Sequence, residues 1–324
     1  MVKVPIMDVT FKKQIKISLR NEVDRFGFSY VLAKKIGFNL PPKSFACFAH
    51  GWVWRKDLKI EDFGYFHTPK NIPIVVATKT HKDFLTSSGF KRIYEGGLPF
   101  AYVKRSNIKR KSRTLLIMPP HSMRFDGISI DTKLLDYIES IKSCFSEICF
   151  CLHCDDYSDE EVTNVLKKRN LNFILGADAS DANSLLRMRE IFDYFEYVTT
   201  TVIGSHVLYA SFCNCKVSLL RNFHYIYPNT IFKNYSMIQS IAGLQERYLN
   251  NFNNLTQLET DFPWLIVNHP VEAIEMTEWA RQEIGFSNLL DNDLLIKILG
   301  WNFSSKAIIL LRFLYNKFTF NYKL

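Results

Sequence analysis

Apolar and polar positions along this chain change period repeatedly, from the alternation of strands to the three-to-four spacing of helices. Residues 197–210 show it most clearly. A β-branched run, Tyr197 to Val202, reads as a strand, and a small polar turn leads into a helix entered at Gly204-Ser205. A further strand, Lys216–Leu220, follows at once. Upstream, 114–118, 147–152 and 172–175 read as strands, separated by helices over 131–143, 158–169 and 182–194. Ser158 with Glu161 is read as a capping box for the second of these helices. Nearer the start, 45–49, 72–78 and 93–94 read as strands, with a helix over 79–88 closed by Gly89. Asn21 and Asp24 are cap candidates near Val23. The pattern predicts two parallel α/β layers. After Leu220 it loosens: 250–254, rich in Asn, reads as loop, and 270–284 as helix ending at Gly285.

Between the layers lies a basic run, with Lys104, Arg105, Lys109, Arg110, Lys111 and Arg113. It reads as a linker, which sets the expected domains at 1–108 and 109–270, with C-terminal helices over 271–324. The tail from Trp301 is apolar and basic. It suits either an interfacial helix or one packed back on the first domain.

The turn after the Tyr197 strand brings in chemistry. Thr200, Thr201, Gly204 and Ser205 sit where a strand ends and a helix begins. Free N–H groups and the helix dipole favour an anion there, and Gly204 admits close backbone approach. The alternative is a helix N-terminus with nothing bound. Each strand exit carries polar residues, and exits on one edge of a parallel sheet converge on one cleft.

Composition narrows the partners. The 324 residues carry a formal charge of +9, which suits phosphorylated substrates, anionic lipid or nucleic acid. The basic run lacks interleaved stacking residues, so no nucleic-acid partner is expected. No apolar run is long enough to span a bilayer, and the start lacks the features of a signal peptide. Seven cysteines in irregular spacing fit reduced thiols, and a cytoplasmic protein is expected, with the inner face of the cytoplasmic membrane as a further location. Cys149, Cys151 and Cys154 with His153 form a metal-cluster candidate. The alternation of Cys149 and Cys151 along a strand favours buried thiols instead.

Several short pieces resemble a set of bacterial glycosyltransferase-like proteins of capsule and lipopolysaccharide O-antigen synthesis. They are Phe48-Ala49-His50-Gly51-Trp52, Gly97-Leu98-Pro99-Phe100-Ala101-Tyr102, Met118-Pro119-Pro120-His121-Ser122, the stretch 199–206 with Tyr209-Ala210, and Gln282-Glu283-Ile284-Gly285. The likeness covers residues 28–301. It implies the GT-B outline: two Rossmann-like α/β domains facing a cleft, with a C-terminal helical segment. It also implies transfer of a sugar from a nucleotide donor to a glycan or lipid-linked glycan, with no cofactor and no catalytic metal. The chain lacks the pair of glutamates eight positions apart that is common in GT-B donor sites. That leaves room for a CMP-activated acid such as Kdo or a sialic acid.

In this reading His121, Ser122, Thr200, Thr201, Gly204, Ser205 and His206 bind the donor. His50, at a strand end of the first domain, is the catalytic base, with Glu95 and Asp62 as alternates. The alternative for His50 is a structural hydrogen-bonding role. Competing functions are a nucleotide-sugar epimerase of the same fold and a non-catalytic nucleotide-binding module of a polysaccharide assembly complex. Peripheral contact with an anionic membrane would use the basic faces.

Overall fold

The structure is a computed structural model that describes residues 9–49, 51–63, 69–120, 130–226 and 244–302. The chain is α/β and divides into two compact units. The first comprises Lys13–Lys104, Ala179–Leu186 and the chain from Glu278; the second comprises the chain up to Lys12, Arg105–Asp178 and Arg187–Thr277. No helix among the described residues is long and apolar enough to cross a membrane.

The first unit holds a three-stranded parallel sheet, β1 (Cys47–Phe48), β2 (Ile74–Val76) and β3 (Ile93–Glu95), in that order. Helix α1 (Phe28–Ile36) precedes it, with Asn21 capping the turn before it by accepting from Val23 N–H. Helix α2 (Lys79–Ser87) joins β2 to β3 and is capped by Thr78. All three β2 side chains are buried, as a central parallel strand requires. Helices α10 (Thr277–Glu283) and α11 (Asn292–Leu299) complete the later part of the chain. Two of the family-like pieces meet in this unit: Leu98 N–H donates to Ile284 O at 2.9 Å. Gly285 (φ +71°) lies so close that a Cβ would stand 2.1 Å from Ala77 O. These pieces are packing elements.

The second unit holds six parallel strands: β4 (Lys111–Met118), β5 (Glu147–Leu152), β6 (Asn172–Leu175), β7 (Phe195–Thr200), β8 (Lys216–Leu220) and β9 (Ile266–Val267). Their spatial order is β6-β5-β4-β7-β8-β9. The chain therefore winds outward one way from β4 and returns beside it to wind the other way, the doubly wound order. Helices α3 (Thr132–Ser140), α4 (Cys154–Ser158), α5 (Glu160–Lys168), α6 (Ser184–Tyr194) and α7 (Ser205–Phe212) form the crossovers. Leu115 and Ile117 of β4 and Ile148, Phe150 and Leu152 of β5 share one core with α3 and α5. By alternation Leu116, Cys149 and Cys151 face the other side of the sheet, buried.

Several expectations are corrected. The 250–254 loop is the end of α8 (Leu244–Asn253), and Asn254 caps α9 (Leu255–Asp261) by accepting from Gln257 N–H. Asp159, rather than Ser158, caps α5; Ser158 Oγ donates to Cys154 O one turn back. A carboxylate in the Ncap position satisfies two N–H groups, those of Glu161 and Val162, which the hydroxyl does not reach. The helix read over 270–284 is interrupted: a short turn at Pro270–Glu272 precedes α10, and β9 lies just before it. The basic run is anchored. Arg110 donates to the carbonyls of Phe192, Cys213 and Asn214, Lys111 pairs with Glu147 at 3.0 Å, and Arg113 donates to Ser143 O and Cys144 O. These three cations fasten the amino ends of the strands, and the division between the two units falls within the run, between Lys104 and Arg105. The C-terminal tail beyond residue 302 lies outside the described residues.

Candidate functional site

The site is built where the winding direction reverses. β4 and β7 are neighbours in the sheet although α3, β5, α4, α5, β6 and α6 separate them in sequence, and Met118 pairs with Thr200 at their carboxyl ends. Side chains and loops leaving these two strands must part in opposite directions, which opens a crevice.

Thr200 fastens the floor of that crevice. Its hydroxyl lies 2.8 Å from Met118 O and 3.0 Å from His206 Nε2, and accepts from Val202 N–H at 3.2 Å. With the single hydroxyl proton on Met118 O, the His206 Nε2–H donates to Thr200. Thr200 is fully buried and saturated, so its part is to position His206 and the turn. Thr201 differs. It is 3% exposed, and its Oγ1 finds no hydrogen-bond partner among the described residues. A buried hydroxyl left without a partner is costly.

Gly204 is the cap residue of α7, and with no side chain it leaves the first turn uncapped. The leading N–H groups of a helix have no intrahelical acceptor, and those of α7 come just after the carboxyl end of β7. A Cβ at Gly204 would stand 3.0 Å from His206 Nδ1, so the glycine also makes room for the imidazole. The Ser205 hydroxyl hydrogen-bonds the buried Tyr209 hydroxyl one turn on; burial is the main cause raising the Tyr209 pKa, and this bond opposes it.

Beside the turn is a pocket of about 340 Å³, lined among others by Pro119, Leu134, Asp156, Thr201, Asn222 and His224. It draws on the exits of β4, β5, β7 and β8. The loop after β8 is tied over it by Tyr225 N–H donating to Thr201 O at 2.7 Å. His224 Nε2 lies 2.9 Å from Phe252 O, which fixes the proton on that nitrogen and leaves Nδ1 as an acceptor. Burial lowers the His224 pKa, opposed by that backbone bond, so the ring favours its neutral form. Asp156 is 4% exposed at the exit of β5. Asp156, Asn222 and His224 were not singled out from the sequence. An acidic residue at the exit of the second strand of the winding was the available signal for Asp156.

His50, His121 and Ser122 lie outside the described residues. The alternates for the base are both engaged. Asp62 pairs with Arg55 at 2.8 Å with both side chains nearly buried, and Glu95 pairs with Lys82 at 3.2 Å. His81 is buried and pushed down to about 4, chiefly by desolvation, so it does not serve as a base either. For a metal, His153, Cys154 and Asp155 bring three donor atoms within 4.8 Å of one another. The Cys154 sulfur is 3.8 and 3.9 Å from the two ring nitrogens, so it lies beside the ring rather than on a nitrogen lone pair. Cys149 and Cys151 are buried in β5 and take no part; desolvation pushes the Cys151 thiol up to about 12.

The second unit is thus a doubly wound parallel sheet, with a helix N-terminus, an unpaired buried hydroxyl and a pocket at its reversal point. No protein-family model and no curated protein matches the chain. Solved structures similar to it include a mutant of S. aureus TarM in complex with Fondaparinux, alpha-GlcNAc-glycerol and UDP, at 13% identity, 76% of this chain covered and a TM-score of 0.30. TarM in a second structure is similar at 12% identity over 83% of this chain, TM-score 0.32. The wall teichoic acid polymerase TagF is similar at 12% identity over 89% of this chain and 69% of its own, TM-score 0.33. The chain spans 48% and 52% of the length of the two TarM chains.

Proposed function

We propose that the chain is a glycosyltransferase that moves a sugar from a nucleotide-sugar donor to a growing bacterial surface polysaccharide or lipopolysaccharide. One observation carries the reading. The reversal point of a doubly wound parallel sheet combines the N-terminus of α7, which has no side-chain cap, with a pocket that Thr201 helps to line. In such sheets ligands bind at that point, with phosphate at the helix N-terminus. The donor phosphate is held at the N-terminus of α7, by the turn Thr200, Thr201, Gly204, Ser205 and His206. Thr200 positions His206, and His121 and Ser122 complete the donor set. The leaving group is a phosphate, so stabilising its developing charge is the main task. His50 takes the acceptor hydroxyl proton. The missing glutamate pair leaves room for a CMP-activated acid sugar as donor, and basic faces of the protein offer peripheral contact with an anionic membrane.

Thermal unfolding against CMP, UDP, GDP and their sugars tests the reading, since a ligand of the native state raises the midpoint. A folded protein shifted by none of them would instead be a binding module or another enzyme. Replacing Gly204 by Val together with Ser205 by Ala should lower nucleotide affinity about tenfold or more, on the scale of one charge-assisted hydrogen bond. Unchanged affinity by calorimetry would remove this turn from the site. Transfer should also survive EDTA, because helix N–H groups and side chains hold the phosphate. Complete loss in chelator, restored by manganese or magnesium, would point to a metal-dependent transferase.

A further inference from the structure

Three of the chain's five tryptophans gather in the first unit. Trp52 is the centre: its ring centroid lies 5.6 Å from that of Trp54 and 5.4 Å from that of Trp279. Trp52 is 4% exposed, whereas Trp54 and Trp279 are half-buried. The group is held in place. Trp52 Nε1–H donates to Glu283 Oε2 at 3.1 Å, and the Arg55 guanidinium, itself paired with Asp62, lies 5.9 Å from the Trp54 ring centroid. Trp279 and Glu283 are one turn apart on α10 and share a helix face. The bond from Trp52 to Glu283 also joins two of the family-like pieces, those over 48–52 and 282–285. Glu283 is half-buried, and its other carboxylate oxygen has no hydrogen-bond or ion-pair partner among the described residues.

Partly exposed indoles beside such a carboxylate make two demands on a ligand. The indole faces carry the negative side of the ring quadrupole and take a flat surface edged with C–H groups. The carboxylate takes a hydroxyl donor and repels an anion. A pyranose ring without acidic groups meets both demands in one body. We propose that Trp54, Trp279 and Glu283 form a binding site for a neutral sugar ring, the acceptor end of the glycan. The ring stacks on the indoles, a hydroxyl donates to Glu283, and Trp52 holds that carboxylate in place. That the sugar is the acceptor rests on the glycosyltransferase reading given above; that the ligand is a sugar rests on this aromatic group alone. Trp52 and Trp54 come shortly after β1 in sequence, in the unit that carries His50.

Saturation-transfer NMR of the full chain tests this without any mutation. The probes are methyl glycosides of glucose, galactose, mannose and N-acetylglucosamine, with those of the uronic acids of the first three. At least one neutral glycoside should bind, and a uronic acid should bind about tenfold or more weaker than its neutral counterpart. Trp54→Ala should weaken the tightest glycoside about tenfold, while Trp54→Phe, which keeps an aromatic face, should retain most of the affinity. Glu283→Gln keeps an acceptor for Trp52 and removes the charge, so it should narrow the gap between neutral and acidic sugars. Nucleotide affinity should be the same in all three variants. If nucleotides bind and no glycoside does, the sugar site is wrong and the donor reading stands. If glycosides bind and no nucleotide does, the site stands and the transferase reading fails; binding of neither overturns both. Lower nucleotide affinity in Trp54→Ala would make the aromatic group a platform for the base. A blue shift of tryptophan emission on anionic vesicles, lost in Trp54→Ala, would make it a membrane contact. Either result overturns the proposal.

Discussion

His50→Ala should lower turnover by about a hundredfold or more while leaving donor affinity near normal. The expectation is positional. In sequence His50 comes two residues after the end of β1, and parallel sheets place reacting groups after the carboxyl ends of their strands. The alternate groups are engaged: Asp62 by Arg55 and Glu95 by Lys82, while His81 is buried. An imidazole titrates near neutrality and accepts a proton when neutral. Turnover should therefore fall as pH drops through the histidine range, where the ring becomes charged and can no longer accept. Glu95→Gln and Asp62→Asn are the controls. Asp62→Asn strands Arg55, a nearly buried cation, so its loss of activity must be read beside its unfolding midpoint. Full turnover in His50→Ala, with loss in Glu95→Gln at unchanged stability, would make the base that carboxylate and return His50 to a structural role.

Gly285→Ala should destabilise the protein by about 4 kcal/mol or more, adding the cost of a left-handed non-glycine residue to that of an overpacked contact. The new methyl would stand 2.1 Å from Ala77 O and 3.0 Å from Gly97 Cα, both backbone, so no side chain can swing away to admit it. Gly97 is itself left-handed, and a Cβ there would lie 2.9 Å from Gly285 O. The two glycines allow the chain after α10 to lie directly on the exits of β2 and β3. Gly37 is the control. It is also left-handed, at φ +99°, but has nothing within 4 Å of its Cβ position. Gly37→Ala should cost only the conformational term, about 1 kcal/mol. Urea unfolding compares the two. Equal midpoints would mean that the close approach at Ala77 is not made in solution.

The sequence disclosed most where local signals agreed. β7, the Gly204-Ser205 entry, α7 and β8 were legible because a β-branched run, a small polar turn and an apolar helix follow one another without conflict. Helix α8 was hidden because Asn250, Asn251, Asn253 and Asn254 favour turns in isolation. Only the last of these acts that way, as the cap of α9. β9, two residues long, has no period to detect. The anchoring of Arg110 was hidden because its acceptors are carbonyls near residues 192–193 and 213–214, far away in sequence. The candidate site divides in the same way. The Thr200–His206 turn is continuous and could be read, while Asp156, Asn222 and His224 come from separate loops that only the sheet order brings together.

The allocation of segments between the two units bears on how the protein is made. The chain opens the first unit with Lys13–Lys104, adds Ala179–Leu186 to it much later, and supplies its final part only from Glu278 onward. The second unit has all of its segments once Thr277 has been synthesised. On a ribosome, which releases a chain from its amino end, the unit that emerges first is therefore the one that closes last. Until then the first unit lacks α10, α11 and the Gly285 contact at the exits of β2 and β3. Cutting the gene after Lys104 would not yield two self-sufficient domains, because the leading fragment would lack the segments encoded at the far end.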